Sequence, residues 1–152
     1  MAGKADFTPD QWLTMQRAVT SAGYIVALSE GGVIDDMLSE ILAVTQRLSG
    51  AGRNHPNQLV RELASMPHVQ SGLRPELTPA AYEQQSLAAI RAATVLVTQA
   101  APGDLESFRA FVVDLAEAAA NAHQEGGFLG TVRVTAAEKA AILRVKKAMG
   151  VA

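Results

Sequence analysis

The residues best equipped for chemistry are three histidines, a pair of adjacent aspartates and two arginines beside expected helix starts. His55, His68 and His123 could hold a divalent metal if their imidazoles converged inside a helical bundle. Such sites place two ligands on one helix face at HxxxH or ExxH spacing, and the chain contains neither pattern. Two of the histidines lie in or beside proline-bearing stretches, and His123 follows an alanine tract near an expected helix C-terminus, where imidazole interacts well with the dipole. Spacing therefore assembles no metal set, and no cofactor is implied. Asp35 and Asp36 invite an acid–base reading, but acids in the first turn of a helix complement its positive end, which is the plainer account.

Other routes to catalysis are closed or silent. The chain has no cysteine, which excludes disulfides, thiolate metal sites and cysteine nucleophiles. No GxSxG elbow surrounds a serine, and the glycine-rich stretches have neither a preceding strand nor a following GK[ST]. A working carboxylate pair would have to be brought together from different helices. Arg53 and Arg133 make the remaining polar candidates. Each is read as standing just before a helix start, at Asn54 and Thr135, where free N–H groups favour an anion or nucleotide. Between Gly127 and Gly130 lie Phe128 and Leu129, read either as loop anchors tucked into the core or as part of a loop that only one half of the chain carries.

The elements that would position these residues are legible from period and punctuation. Thr8-Pro9-Asp10-Gln11 is a capping box opening a first helix, whose Trp12, Met15, Val19, Ala22 and Val26 form one stripe. Beyond Gly23 that helix is apolar all round, so neighbours should enclose it. A second helix is expected over about 33–48, with Met37, Leu38, Ile41, Leu42, Val44 and Leu48 inward and Ser49-Gly50-Ala51-Gly52 as its stop. Asn54 is then read as the cap of a short third helix burying Leu59, Val60, Leu63 and Met66. Residues 67–77, with two prolines and no period, read as a linker. Thr78-Pro79 opens a fourth helix with Tyr82, Ala89, Ala93, Leu96 and Val97 on one face, and Ala101-Pro102-Gly103 breaks it. A fifth helix over about 104–124 places Phe108, Phe111, Val112 and Leu115 inward, followed by alanines that admit a close neighbour. Thr135-Ala136-Ala137-Glu138 caps a last helix, in which Ile142, Val145 and Met149 face inward and Gly150 is the stop.

The halves correspond. A shift of 70 places Phe7-Thr8-Pro9 on Leu77-Thr78-Pro79 and Trp12 on Tyr82, and a shift of 83 places Leu59-Val60-Arg61 on Ile142-Leu143-Arg144. The predicted architecture is a single all-α domain over residues 1–152, a six-helix bundle of two pseudo-repeated three-helix units (long, long, short) at about 7–66 and 77–149.

The final segment, Gly126-Gly127-Phe128-Leu129-Gly130 followed by Val134-Thr135-x-x-Glu138, resembles the ending of small uncharacterised bacterial helical proteins. It also distantly resembles the second half of the tellurite-resistance TerB-like family, over about the last thirty residues. TerB-like loops carry an acid before the glycine, whereas Leu129 precedes Gly130 here, so that family's metal-linked acids map to no residue of this chain. The resemblance implies an all-α fold and a stress-related, non-enzymatic role.

Composition sets the remaining bounds. The chain is 49% hydrophobic and 18% charged, which supports a packed core. Its apolar runs, such as residues 24–28, are far too short to span a bilayer, and the N-terminus has no apolar signal core, which points to a cytoplasmic protein with no membrane partner. Net charge is −2, with five basic residues and one acid from Phe128 onward. That asymmetry could steer an anion to the C-terminus, although charges spread round a helix more simply form its solvated face. Because the chain is acidic and no helix clusters arginine and lysine with base-reading residues, a nucleic-acid partner is not expected. The functional expectation is a non-catalytic interaction or small-ligand-binding module that forms a homodimer, since alanine-rich helices with few charges leave apolar surface to cover. The alternatives are a metal-dependent enzyme on a histidine-bearing bundle and an anion or nucleotide binder at Arg53 and Arg133.

Overall fold

The computed structural model describes residues 2–29, 34–65, 78–122 and 135–151, with the backbone alone for 34–38. Among these residues the chain is all-helical: α1 (Pro9–Leu28), α2 (Ile34–Asn54), α3 (Gln58–Ala64), α4 (Pro79–Ala100), α5 (Leu105–Ala120) and α6 (Ala136–Ala148). Short 3-10 turns lie at Lys4–Asp6 and Pro102–Asp104. No helix among them is long and apolar enough to cross a membrane. The expected linker at 67–77, and with it His68, His123, Phe128, Leu129 and Arg133, falls outside the described residues.

Helix starts follow the capping chemistry. Thr8 Oγ1 accepts from the Gln11 N–H at 3.2 Å while Gln11 Oε1 accepts from the Thr8 N–H at 2.9 Å. Phe7, one residue before the cap, packs its ring 6.1 Å from that of Trp12, a hydrophobic staple that fixes how the chain enters α1. Thr78 caps α4 through the Ala81 N–H at 3.1 Å. At α6, Thr135 Oγ1 accepts from the Glu138 N–H at 3.2 Å and Glu138 Oε1 accepts from the Thr135 N–H at 3.0 Å. That helix ends as a Schellman turn: Gly150, at φ +74°, donates to Lys147 O at 3.0 Å and Val151 donates to Lys146 O at 2.9 Å.

α1 is the central element. It packs chiefly along α4 and α5 and also touches α2, α3 and α6. Met15, Ala18, Val19, Ala22 and Val26 are wholly removed from solvent, and one core cluster joins them to Leu59 and Leu63 of α3, Ile90 and Val97 of α4, Phe108 and Leu115 of α5, and Val145 of α6. The α1–α2 contact depends on a missing side chain, because a Cβ at Gly23 would lie 2.2 Å from Val44 Cγ2.

Two expectations need correction at the α2–α3 connection. Ser49-Gly50-Ala51-Gly52 does not close the second helix, which continues to Asn54. Gly52 is there because α3 comes close: a Cβ would meet Ala64 O and Ser65 Cα, each at 3.1 Å, and Ser65 Oγ donates to Gly52 O at 2.9 Å. The cap of α3 is Asn57 rather than Asn54, its Oδ1 accepting from the Val60 N–H at 3.1 Å. The Asn57 Nδ2 also donates to Asp104 Oδ1 at 2.8 Å, and Asp104 Oδ2 accepts from the Ala2 N–H at 3.2 Å. This buried aspartate ties the N-terminal strap, the start of α3 and the start of α5 together.

The relation between the halves is uneven among the described residues. α1 packs extensively on α5, whereas α2 and α4 scarcely meet. A two-fold axis exchanging the halves would make those contacts equivalent.

Candidate functional site

The continuation of α2 to Asn54 lengthens one wall of a surface groove. One stripe of α2 runs from Ser39 to Asn54 at three- and four-residue spacing, and facing it are Ala110 to Ala118 of α5 with Asn121 and Ala122 just past its end. Between them lies an open groove of about 880 Å³. At 1.5 Å per residue the α2 side extends roughly 22 Å and the helical part of the α5 side roughly 12 Å. Two cross-contacts set the direction: Arg47 pairs with Asp114 at 3.4 Å, and the His55 ring lies 5.8 Å from that of Phe111. As α2 numbers rise, α5 numbers fall, so the two walls are antiparallel.

Small residues keep the groove open. Ala43, Gly50 and Ala51 line one wall and Ala110 and Ala118 the other. A Cβ at Gly50 would meet nothing within 4 Å. Leu42, expected inward from its place in the α2 pattern, is instead 57% exposed on this wall. α2 meets the core with Val44 and Leu48, and Leu42 falls on the opposite side. Arg47 and Asp114 have side chains 55% and 41% exposed, so their pair is solvated, and pairs of that kind contribute about 0–1 kcal/mol.

His55 is the single sequence-flagged histidine among the described residues, and the fold gives it a defined tautomer. Its Nδ1 accepts from the Asn57 N–H at 3.0 Å, its carbonyl accepts from Arg61 Nη1 at 2.8 Å, and its own N–H donates to Ala51 O at 3.0 Å. With Nδ1 accepting, the neutral ring carries its proton on Nε2. His55 thus works as a joint between α2 and α3 and contributes one polar edge to the groove. Among the described residues no group of three histidine, aspartate or glutamate side chains is placed to hold a metal.

Arg53 is exposed in the last turn of α2, the negative end of a helix dipole. The expected helix start beside it is absent, and the true α3 cap at Asn57 is filled by its own side chain. The basic α6 is tied down through Arg144, which pairs with Glu83 of α4, while Arg109 of α5 donates to Met149 O at 3.0 Å. Glu138, which the sequence marked as a capping residue, is 1% exposed, and its Oε2 has no hydrogen-bond partner among the described residues.

Sequence reasoning missed Leu42, Arg47, Gly50 and Asp114 as site residues. The available signal was Ser39, Ala43 and Gly50, small residues on the polar side of an amphipathic helix, where bulk carries no packing penalty. Reading Gly50 as a helix stop concealed it. Compared with known proteins, the chain matches no family model, no curated protein and no solved structure.

Proposed function

We propose that the chain is a non-catalytic helical binding protein whose working surface is the α2–α5 groove. The observation that carries this reading is the groove itself: about 880 Å³ bounded by two antiparallel helices, with an open floor at Gly50 and an exposed leucine at its edge. Small-molecule sites commonly occupy about 300–1,000 Å³, and an elongated groove between helices is also the receptor geometry for an amphipathic helix. Its polar groups suit binding better than catalysis. Arg47 and Asp114 neutralise one another, and the His55 Nδ1 is engaged by backbone.

The test is a map of backbone amide shifts in labelled protein. One series adds a library of small amphipathic compounds, and the other adds increasing unlabelled protein. Shifts gathered on Ser39–Asn54 and Ala110–Ala122 in either series support the reading. Shifts confined to other helices, or none in both series, contradict it.

A further inference from the structure

Resting on that reading, we infer that the groove is closed by the same α2–α5 face of a second copy of this chain, in a dimer whose two-fold axis runs parallel to α2 and α5. The shape favours a helix, because the cleft follows roughly 22 Å of α2 and is floored by glycine and alanine, which allow another backbone close approach. The charges favour the same chain. Arg47 and Asp114 stand opposite one another on the two walls at one height along the groove. A two-fold axis parallel to the walls places the partner's α2 over α5 at unchanged height. Each Arg47 then meets the Asp114 of the other subunit, so the acid and base that line the groove are matched across a self-complementary interface. Neither group is saturated by the pair within one chain. The guanidinium has five N–H donors and the carboxylate a second oxygen, and both side chains are about half exposed. The same rotation covers Leu42, the most exposed large hydrophobic residue among those described, against the partner's small-residue wall. The product is a four-helix layer in which every neighbouring pair is antiparallel, a favourable bundle arrangement.

Sedimentation of charge variants, alone and mixed, decides the matter. Wild-type protein is expected to sediment as a dimer at tens of micromolar. Arg47→Glu and Asp114→Arg each set like charges across the interface and are expected to sediment as monomers with unchanged helical circular dichroism. Mixed in equal amounts, the two variants are expected to recover the dimer as a heterodimer. The glutamate introduced at position 47 of one chain then faces the arginine introduced at position 114 of the other, while the native pair forms on the second side. A pair acting only within one chain gives no recovery on mixing. Leu42→Asp, at a solvent-exposed position, is expected to be monomeric without loss of fold. Monomeric wild type overturns the inference, as does a dimer indifferent to all three substitutions. A monomer whose groove amides still respond to small compounds overturns this inference alone and leaves the proposed function standing, whereas amide shifts that avoid the groove remove both.

Discussion

Two glycines inside long helices, Gly23 on α1 and Gly50 on α2, occupy opposite kinds of space. At Gly23 the contact with Val44 leaves no room for a methyl group, since a Cβ would stand 2.2 Å from a valine carbon. At Gly50 nothing lies within 4 Å of the same position. Both carry the usual helix-interior penalty of glycine, about 1 kcal/mol relative to alanine. At Gly23 that penalty is offset by close α1–α2 packing. At Gly50 nothing in the folded monomer offsets it, and its consequence is an open groove floor. The first region is specified by packing, and the second has a shape that packing does not require.

The sharpest way to test this contrast is to add one methyl group at each position. Gly23→Ala should destabilise by about 1–3 kcal/mol, because overpacking against a stiff β-branched neighbour outweighs the helix gain. Urea titration checks it, and unchanged stability would show that the contact yields readily. Val44→Ala should relieve part of that loss, so the double variant should be more stable than the sum of the single effects predicts by about 0.5 kcal/mol or more. Gly50→Ala should go the other way and raise stability by up to about 1 kcal/mol in the same titration. A loss there would mean that the groove floor is under constraint from within the monomer.

The smallest effect concerns Tyr24, beside Gly23. Burial raises its phenol above the ordinary value of 10.0. The folded state therefore holds the proton more tightly than the unfolded chain, and this contribution to stability is fully present below pH 10.0 and lost as pH rises above it. Tyr24→Phe should flatten the alkaline fall in stability, as read by denaturant midpoints from about pH 8 upward, and leave stability near neutrality little changed.

What was legible in the sequence was what local chemistry decides. Thr8 with Gln11 and Thr135 with Glu138 form the capping boxes their spacing implies, and the Trp12–Val26 stripe is buried, because both depend on residues three or four apart. The end of α2 was not legible. Gly50-Ala51-Gly52 has the composition of a stop, and only the approach of Ala64 and Ser65 shows why glycine is accommodated inside the helix at position 52. Asn54 and Asn57 are equally good caps on composition. The fold selects Asn57, whose side chain also reaches Asp104 across forty-seven residues of sequence. The groove was hidden for the same reason, since it is a relation between α2 and α5 that no single stripe contains. Matching caps at Thr8 and Thr78 do not by themselves impose matching contacts, and among the described residues α1 meets more of the other helices than α4 does.

The most direct measurement of the central claim is sedimentation equilibrium of Gly50→Glu beside Gly50→Ala. Both side chains enter open space and favour the helix, so both proteins should remain folded. Placing a long charged side chain on the groove floor should abolish self-association in Gly50→Glu, while Gly50→Ala associates as the wild type does. If Gly50→Glu is folded and associates as strongly as wild type, the groove is not where two copies of this chain meet.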